Sequence, residues 1–590
     1  MKPVEPVPGL KTILAAAGFF LLGLVYLGVR LKEVQVDDAA KYADASSQQS
    51  IWRVRIPGGR GRILDRHGDV LAGNRVSLSL ICELTAYQRR SWTKTIDEVQ
   101  RAIDGVCRLL GRKSTLDSKT LRRVVNHRER ALPLTVLRNL TSDELAVFSE
   151  HAGDFPGFAV EETEVRFYPE GPLAAHVLGY VGNGFAPTTA ADVNYRLVLP
   201  EMVGKAGLEA YYDGYLRGVP GERKLLVDAR CLAIRDWTTL GAKRGPDLRL
   251  SLDLAVQREV ERQLAGSVGA CAVLDPRNGE ILALASAPGY DLNSCVPILP
   301  ADYYAELCDN PEKPLLNRAV AGGYAPGSTF KPITMLAALS IGCPDTESYL
   351  CDGVYTCGQM KLHCTARWGH GELDMRQALM KSCNPYFCNL GFSVGTNVLI
   401  RTARALGLGS RTGIDFLQDF AGVVPDAEWK WRRYQERWFV GDLVQMSIGQ
   451  GMLLVSPLQM ARVAGAIGTG YLTVPHLKAD LPVERQPLPF SEENLKVVRE
   501  GMCRVVSGSG GVRGTGWRGG EGVSVAVAGK TGTAEVGLGA RKRNNTWFIA
   551  YAPAEDPVVA VAMLIENGMS GGGTVAPKVA EVLKVVFNDR

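Results

Sequence analysis

The sequence predicts an α+β protein: an N-terminal transmembrane helix, then a scaffold of mixed strands and helices, then a domain built on a five-stranded antiparallel sheet flanked by helices. Three observations point there. One long apolar run lies near the N-terminus. The stretch after it mixes strand-like and helix-like pieces and holds no residue set suited to chemistry. Beyond about residue 250, strand candidates come from both ends of one stretch with helical sequence between them. At 590 residues the chain exceeds what one core can organise, and 46% hydrophobic with 22% charged residues is ordinary for folded protein. The net charge of +5 leaves no nucleic-acid footprint, so no nucleic-acid partner is expected.

The apolar run extends from Thr12 to Val29, 18 positions without a charge. At ~1.5 Å per residue this just crosses a bilayer core of about 30 Å. It meets Arg30, Leu31 and Lys32 rather than small residues at cleavage spacing, which predicts an uncleaved anchor. Lys2 and Lys11 on one side balance Arg30 and Lys32 on the other, so charge does not orient it. No second run of that length follows. The expected division is a tail at 1–11, the anchor at 12–29, a scaffold at 30–249 and the last domain at 250–590.

Within the scaffold, Val36 to Gln49 is polar enough for a linker, and Thr141-Ser142-Asp143-Glu144 predicts a capping box opening a helix. Asp65 and Arg66 are expected to pair as a turn-stabilising salt bridge. In the last domain, Leu252 to Leu264 has helical spacing. Ala270–Leu274 and Ile281–Ser286 read as strands joined by Asp275-Pro276-Arg277-Asn278-Gly279, a hairpin linker. Val523–Ala528, Thr546–Tyr551 and Val558–Leu564 supply three more strands, and a helix from about Pro577 to Val586 closes the chain. The glycine-rich stretch Gly508 to Gly522 is expected to be a loop, and Arg541-Lys542-Arg543 a solvated hairpin tip.

Three short motifs carry the chemistry. Ser328-Thr329-Phe330-Lys331 precedes a helical run in which Pro332 is tolerable only in the first turn, so Ser328 belongs at the helix N-terminus. Residues three apart share a helix face, which brings Lys331 within reach of the Ser328 hydroxyl. A serine hydroxyl needs a base, and a buried lysine beside a second cation can serve. Ser382-Cys383-Asn384 is the second motif. Lys530-Thr531-Gly532-Thr533-Ala534 is the third, where glycine admits a substrate to the backbone and Lys530, Thr531 and Thr533 can bind a carboxylate. Lys530 is also a candidate for the second cation. Any one motif is weak; three in order on helix, loop and strand are not.

S-x-x-K, S-x-N and K-T-G together resemble the signature of the penicillin-recognising serine enzymes. Arg60-Gly61-Arg62-Ile63-Leu64-Asp65-Arg66-His67-Gly68 and Gly204-Lys205-Ala206-Gly207-Leu208-Glu209 resemble the non-catalytic pedestal, or dimerisation-like, half of class B penicillin-binding proteins. Asn317-Arg318-Ala319, Trp368-Gly369-His370-Gly371 and Ile448-Gly449-Gln450-Gly451 resemble the transpeptidase domain of the elongation, penicillin-binding protein 2-like branch. The resemblance runs from the anchor to the C-terminus. It implies a peptidoglycan D,D-transpeptidase that cross-links stem peptides through an acyl-serine intermediate and is acylated by β-lactams. Ser328 would be the nucleophile, Lys331 the base, and Ser382 the relay to the leaving amine. Asn384 would position the lysine and the donor amide, and Lys530 and Thr531 would hold the donor, with Gly532 and Ala534 beside them. Thr533 and Ser328 would give the oxyanion-hole N–H groups. No cofactor is implied for the chemistry.

The resemblance also implies a single-pass protein of the bacterial inner membrane with a periplasmic catalytic domain. The implied partners are a polytopic glycan polymerase of the SEDS family and other elongation-complex proteins. The middle motif departs from the S-D-N of class A β-lactamases, and no Glu-bearing deacylation loop is recognisable, so slow hydrolysis is expected. A division-type transpeptidase, a D,D-carboxypeptidase or a β-lactamase on the same core, and an anchored sensor or inert scaffold, are the rival readings.

Thirteen cysteines all lie beyond the anchor, and an odd number outside the cytosol leaves at least one thiol free or metal-bound unless a second chain takes it. Cys351, Cys364, His370 and Cys383, with 12, 5 and 12 residues between them, form a tetrahedral zinc ligand set. Some elongation-type relatives resemble this with carboxylates at the positions of Cys351 and Cys364. The alternative is a Cys351–Cys364 disulfide with Cys383 and His370 structural, and Cys357 can replace either thiol. Cys295 and Cys308 are a further candidate pair. Trp368 is expected to pack beneath the metal loop.

Overall fold

The computed structural model describes residues 9–42, 50–89, 91–114, 116, 118–126, 128–185, 195–537 and 543–588. Part of the expected tail (1–8), half of the linker (43–49) and Arg541 and Lys542 lie outside them. The apolar run forms one helix, Leu10–Lys32, followed by a π-helical turn at Glu33–Asp37. Its 23 residues span about 35 Å, and none is buried against the rest of the chain. Among the described residues it is the only helix long and apolar enough to cross a membrane.

The pedestal is organised by two sheets. In one, Ile51–Ile56 pairs antiparallel with Gly221–Val227, which pairs with Ala233–Leu240. In the other, the long strand Val70–Cys82 pairs with Phe158–Phe167 and Leu134–Leu137. The capping box forms as expected at Thr141 and Glu144.

The two pedestal motifs meet in the interior. Glu209 is fully buried, and its carboxylate accepts from Arg60 Nε and from Arg166 Nε, each at 2.6 Å. Arg60 also reaches Asp213 at 2.7 Å, and Arg166 donates to the Gly61 carbonyl at 2.7 Å. Such ions remain buried only because every charge has a partner.

Asp65 and Arg66 do not pair. Asp65 is buried and caps its own turn, accepting from the N–H groups of His67 and Asp69 at 2.8 Å each. A short carboxylate satisfies local N–H groups better than a neighbour's guanidinium facing the other way. Arg66 instead reaches Glu280 at 3.2 Å, joining the pedestal to the first hairpin of the next domain.

That domain holds the expected five-stranded sheet. Its order is Ile281–Ala287, Gly269–Leu274, Val559–Glu566, Arg543–Ala552 and Ala528–Val536, every neighbouring pair antiparallel. Both faces are apolar and covered. Along Gly269–Leu274 the alternate residues Cys271 and Val273 enter the core shared with the helices Leu254–Leu264 and Ala576–Asn588. Ala270, Ala272 and Leu274 enter the larger core with Lys331–Ser340 and Pro457–Thr469.

One strand differs from expectation. Val523, Val525 and Val527 alternate like a strand, but they pack as irregular chain against the C-terminal helix, and the strand begins at Ala528. The K-T-G motif therefore lies inside a strand at the edge of the sheet rather than after one. Glycine and lysine are poor strand formers, and the ladder to Arg543–Ala552 supplies what propensity does not.

Candidate active site

The Ser328–Lys331 motif starts from backbone constraints. Ala325-Pro326-Gly327 leads into a 3-10 turn, Gly327–Phe330, which continues as the helix Lys331–Ser340 with Pro332 in its first turn. Gly327 has φ +55° and donates its N–H to the Gly449 carbonyl at 2.8 Å, while Trp547 Nε1 donates to the Ala325 carbonyl at 3.0 Å. On the other side the edge strand presses in. A methyl group at Gly532 would lie 2.8 Å from Thr329 Cγ2 and 3.0 Å from the Pro326 oxygen, so only glycine allows this approach. Ser328 is thus held, half-buried, between the Gly449 loop and the Thr533 backbone. Among the described residues its hydroxyl has no hydrogen-bond partner.

Lys331 is fully buried one turn on. Its Nζ donates to the Ser382 carbonyl at 2.7 Å, to Asn384 Oδ1 at 2.7 Å and to Ser382 Oγ at 3.3 Å. Lys530, equally buried, donates to Ser382 Oγ at 2.9 Å and to the Thr531 carbonyl at 2.8 Å. One hydroxyl therefore lies between two ammonium groups. Burial pushes Lys331 down to about 8. Burial, and then the charge of Lys331, push Lys530 well below the usual lysine range. The repulsion is mutual, so each ammonium disfavours the charge on the other.

Ser382 has φ +54°, a conformation unfavourable for a residue with a side chain, and it turns both its carbonyl and its hydroxyl toward Lys331. Asn384 opens the helix Asn384–Val394, and its Nδ2 donates to the His363 carbonyl at 2.9 Å. The sequence gives no pointer to His363, because a backbone acceptor carries no side-chain signature. Nor does it single out Thr515, whose Oγ1 accepts from Thr531 Oγ1 at 3.0 Å. Thr531, Gly532 and Ala534 are buried along the edge strand, and Thr533 is half-buried.

The four metal candidates converge. Cys351 ends the strand Tyr349–Cys351, His370 precedes its partner Gly371–Leu373, Cys364 follows the hairpin Val354–His363, and Cys383 caps the helix at Asn384. His370 Nδ1 lies 3.3 Å from Cys364 Sγ and 3.8 Å from Cys351 Sγ. The Cys364 and Cys383 sulfurs are 4.0 Å apart, and all four donor atoms fall within 4.8 Å of one another. Zn–S of about 2.3 Å and Zn–N of about 2.0–2.1 Å require donors about 3.6–3.8 Å apart in a tetrahedron; the contacts at 3.3, 3.8 and 4.0 Å bracket that spacing, and the donor types suit the ion once the wider pairs, up to 4.8 Å, draw in. Contact with Cys383, then His370, pulls the Cys364 thiol down against its burial, while the same contact and burial push Cys383 up.

All thirteen cysteines are free thiols, so neither Cys351–Cys364 nor Cys295–Cys308 is bridged, and Cys357 stands outside the cluster. Trp368 does not pack beneath the loop; it is 88% exposed. The reason is backbone crowding. A methyl group at Gly369 would meet the Cys351 oxygen at 2.1 Å, and the His370 N–H bonds that oxygen at 3.1 Å. No space for an indole remains there.

Two family descriptions match the chain. "Penicillin-binding Protein dimerisation domain" covers residues 55–250, and "Penicillin binding protein transpeptidase domain" covers 269–584. Among curated proteins, Peptidoglycan D,D-transpeptidase MrdA of Acinetobacter baumannii is 32% identical over 98% of this chain and 87% of its own length. MrdA of Escherichia coli K12 is 31% identical over 95% and 91%. Among solved structures, the complex of PBP2 with MreC from Helicobacter pylori superposes with TM-score 0.76 at 26% identity, covering 91% of this chain and 99% of that one. A chain from a peptidoglycan synthase complex, described as coordinating polymerization and crosslinking, superposes at 0.71 with 29% identity over 99% of both chains.

Proposed function

The chain belongs to the class B penicillin-binding proteins of the elongation type and is a serine-type peptidoglycan D,D-transpeptidase, and on that premise we propose that Ser328 is the residue acylated. The observation that carries the assignment is the Ser382 hydroxyl set between Lys331 and Lys530, next to the turn that holds Ser328.

In the proposed reaction, neutral Lys331 takes the proton of the Ser328 hydroxyl as its oxygen attacks the penultimate D-alanine carbonyl of the donor. The N–H groups of Ser328 and Thr533 face the oxyanion. That role for Thr533 is supported by the closeness of its backbone to Gly327, where a methyl group would lie 2.8 Å from the Thr533 oxygen. The amide C–N bond then breaks, and Ser382 passes a proton from the lysine side to the leaving D-alanine amine. An acceptor amine attacks the ester, its proton returns along the same path, and Ser328 is released. Asn384 fixes Lys331 and faces the donor amide.

The donor lies along Thr531, Gly532, Thr533 and Ala534. Support comes from the strand's position at the sheet edge, where an extended peptide can add as a further strand. A β-lactam presents an equivalent carbonyl and acylates the same oxygen.

The chemistry needs no cofactor. Cys351, Cys364, His370 and Cys383 would hold a structural zinc ion, which when bound supplies a fixed tie and no reacting group. What this chain's residues do there is hold Cys383 in place, and with it Ser382 and Asn384 on either side. The apolar helix supports a single-pass anchor; the pedestal (30–249) and catalytic domain (250–590) are proposed to lie on the periplasmic side because the peptidoglycan substrate is there. The proposed partners are a polytopic glycan polymerase of the SEDS family and elongation proteins of the MreC kind, as the relatives' complexes suggest.

The test is direct. A D-Ala-D-Ala stem peptide with an acceptor amine should give cross-linked product, and fluorescent penicillin should label wild type and not Ser328→Ala. Free acid without cross-links, or labelling that survives the substitution, would defeat the assignment.

A further inference from the structure

We infer that Thr515, in the glycine-rich loop before the edge strand, is a positioning residue for the donor's terminal carboxylate and acts by steering the Thr531 hydroxyl. The inference rests on the reading that Thr531 holds that carboxylate.

Thr515 bridges the two walls of the cleft. Toward the K-T-G strand, its Oγ1 accepts from Thr531 Oγ1 at 3.0 Å. Toward the S-x-N loop, its Oγ1 donates to the Met380 carbonyl at 3.2 Å and its N–H donates to the same oxygen at 3.3 Å. Met380 ends the helix Met375–Met380, two residues before Ser382. The loop is seated tightly: a methyl group at Gly572 would lie 2.2 Å from the Thr515 oxygen, and one at Gly516 would lie 2.9 Å from Phe548. Thr531 is 7% exposed, whereas Thr515 is exposed.

Counting protons gives the device. Without substrate, the Thr531 hydrogen is committed to Thr515 and the Thr515 hydrogen to Met380. An arriving carboxylate needs a donor, and each hydroxyl has only one hydrogen. If both hydroxyls rotate, Thr531 donates to the carboxylate and Thr515 donates to Thr531 Oγ1. The Met380 carbonyl keeps the Thr515 N–H, so no buried acceptor is orphaned. The donated bond also polarises Thr531, strengthening its bond to the anion. Valine at 515 keeps the volume and removes the relay.

The experiment measures acylation rate constants of the full-length protein in detergent with a penicillin and with its methyl ester, for wild type, Thr515→Val, Thr515→Ser and Thr531→Val. The expected result is that Thr515→Val slows the acid by about three- to tenfold and the ester by less than about twofold, the loss of the one neutral hydroxyl bond that orients and polarises Thr531. Thr515→Ser should restore the acid-to-ester ratio. If Thr515→Val slows both equally, or neither, while Thr531→Val lowers the ratio, Thr515 has no positioning role. If Thr531→Val leaves the ratio unchanged, the carboxylate reading fails and takes the inference with it.

Discussion

Lys331 and Asn384 are 2.7 Å apart, and the amide between them is held from both ends: Oδ1 accepts from the lysine while Nδ2 donates to the His363 carbonyl 2.9 Å away. That second bond fixes which end of the amide faces Lys331. Asn384→Asp keeps the shape and places a carboxylate against the ammonium. An opposite charge at this distance favours the charged lysine and moves its titration up by about 1–3 pH units. Acylation by penicillin at neutral pH should fall about 10- to 1000-fold and recover partly in alkaline buffer. An unshifted pH profile would show that Asn384 does not touch the catalytic base.

The wild-type profile follows from the same lysine. Burial holds Lys331 near 8, and in the proposed reaction its neutral form is the base. Below that value most molecules carry the wrong protonation state, so the acylation rate should fall about tenfold for each pH unit lost. Above it the rate should level off. A rate constant flat between pH 6 and 9, measured with a β-lactam whose own charge does not change, would remove Lys331 from the role.

Gly532→Ala tests the closeness of strand and turn without removing any polar group. The added methyl would fall 2.8 Å from Thr329 Cγ2, 3.0 Å from the Pro326 oxygen and 3.1 Å from Trp547 Cβ. Two of these neighbours are in the turn carrying Ser328, so relief of the clash must separate the Thr533 N–H, a proposed oxyanion donor, from Ser328. Loss of one oxyanion contact costs about 10²–10³ in rate. Labelling should slow by that order with little change in melting temperature. A variant that labels at the normal rate would place the pressure elsewhere.

Much of this site is legible in the amino-acid sequence, because its chemistry resides in side chains at fixed spacing. Ser328, Lys331, Ser382, Asn384 and Lys530 stand out as motifs, and the cysteine–histidine set by its ligand types. What the sequence hides is backbone. The His363 carbonyl has no residue-type signal, and Thr515 gains meaning only when a glycine-rich loop folds against two distant segments. Residue patterning misplaces the strand Ala528–Val536, since valines at 523, 525 and 527 alternate better than the Lys-Thr-Gly sequence that forms the ladder. Trp368 misleads in the same way: its large apolar surface suggests burial, whereas crowding around Gly369 decides its direction.

Far from the chemistry, Glu209 is the carboxylate shared by Arg60 and Arg166, with no solvent to replace it. Glu209→Gln leaves two buried guanidinium groups with one charged partner fewer. Breaking a buried ion pair from one side costs about 3–5 kcal/mol. The pedestal should melt well below the wild-type temperature, and penicillin labelling of the folded fraction should persist, because the catalytic sheet has its own core. A variant as stable as wild type would mean that the triad adds no net stability.

Removal of metal should act through geometry and not through chemistry. Three sulfurs and an imidazole within 4.8 Å make a set that zinc would satisfy, and Cys383 joins it to the residues on either side that face Lys331. Protein purified without chelator should carry about one zinc per chain. Stripping it should release the Cys364 and Cys383 loops, lower the melting temperature and slow acylation by about 10- to 100-fold, the scale seen when support around a site is lost. Activity should not vanish, because no proton or bond passes through the ion. Readdition of zinc should restore both properties. Protein that carries no metal, titrates as free thiols and acylates at full rate would leave the cluster as four side chains that happen to converge.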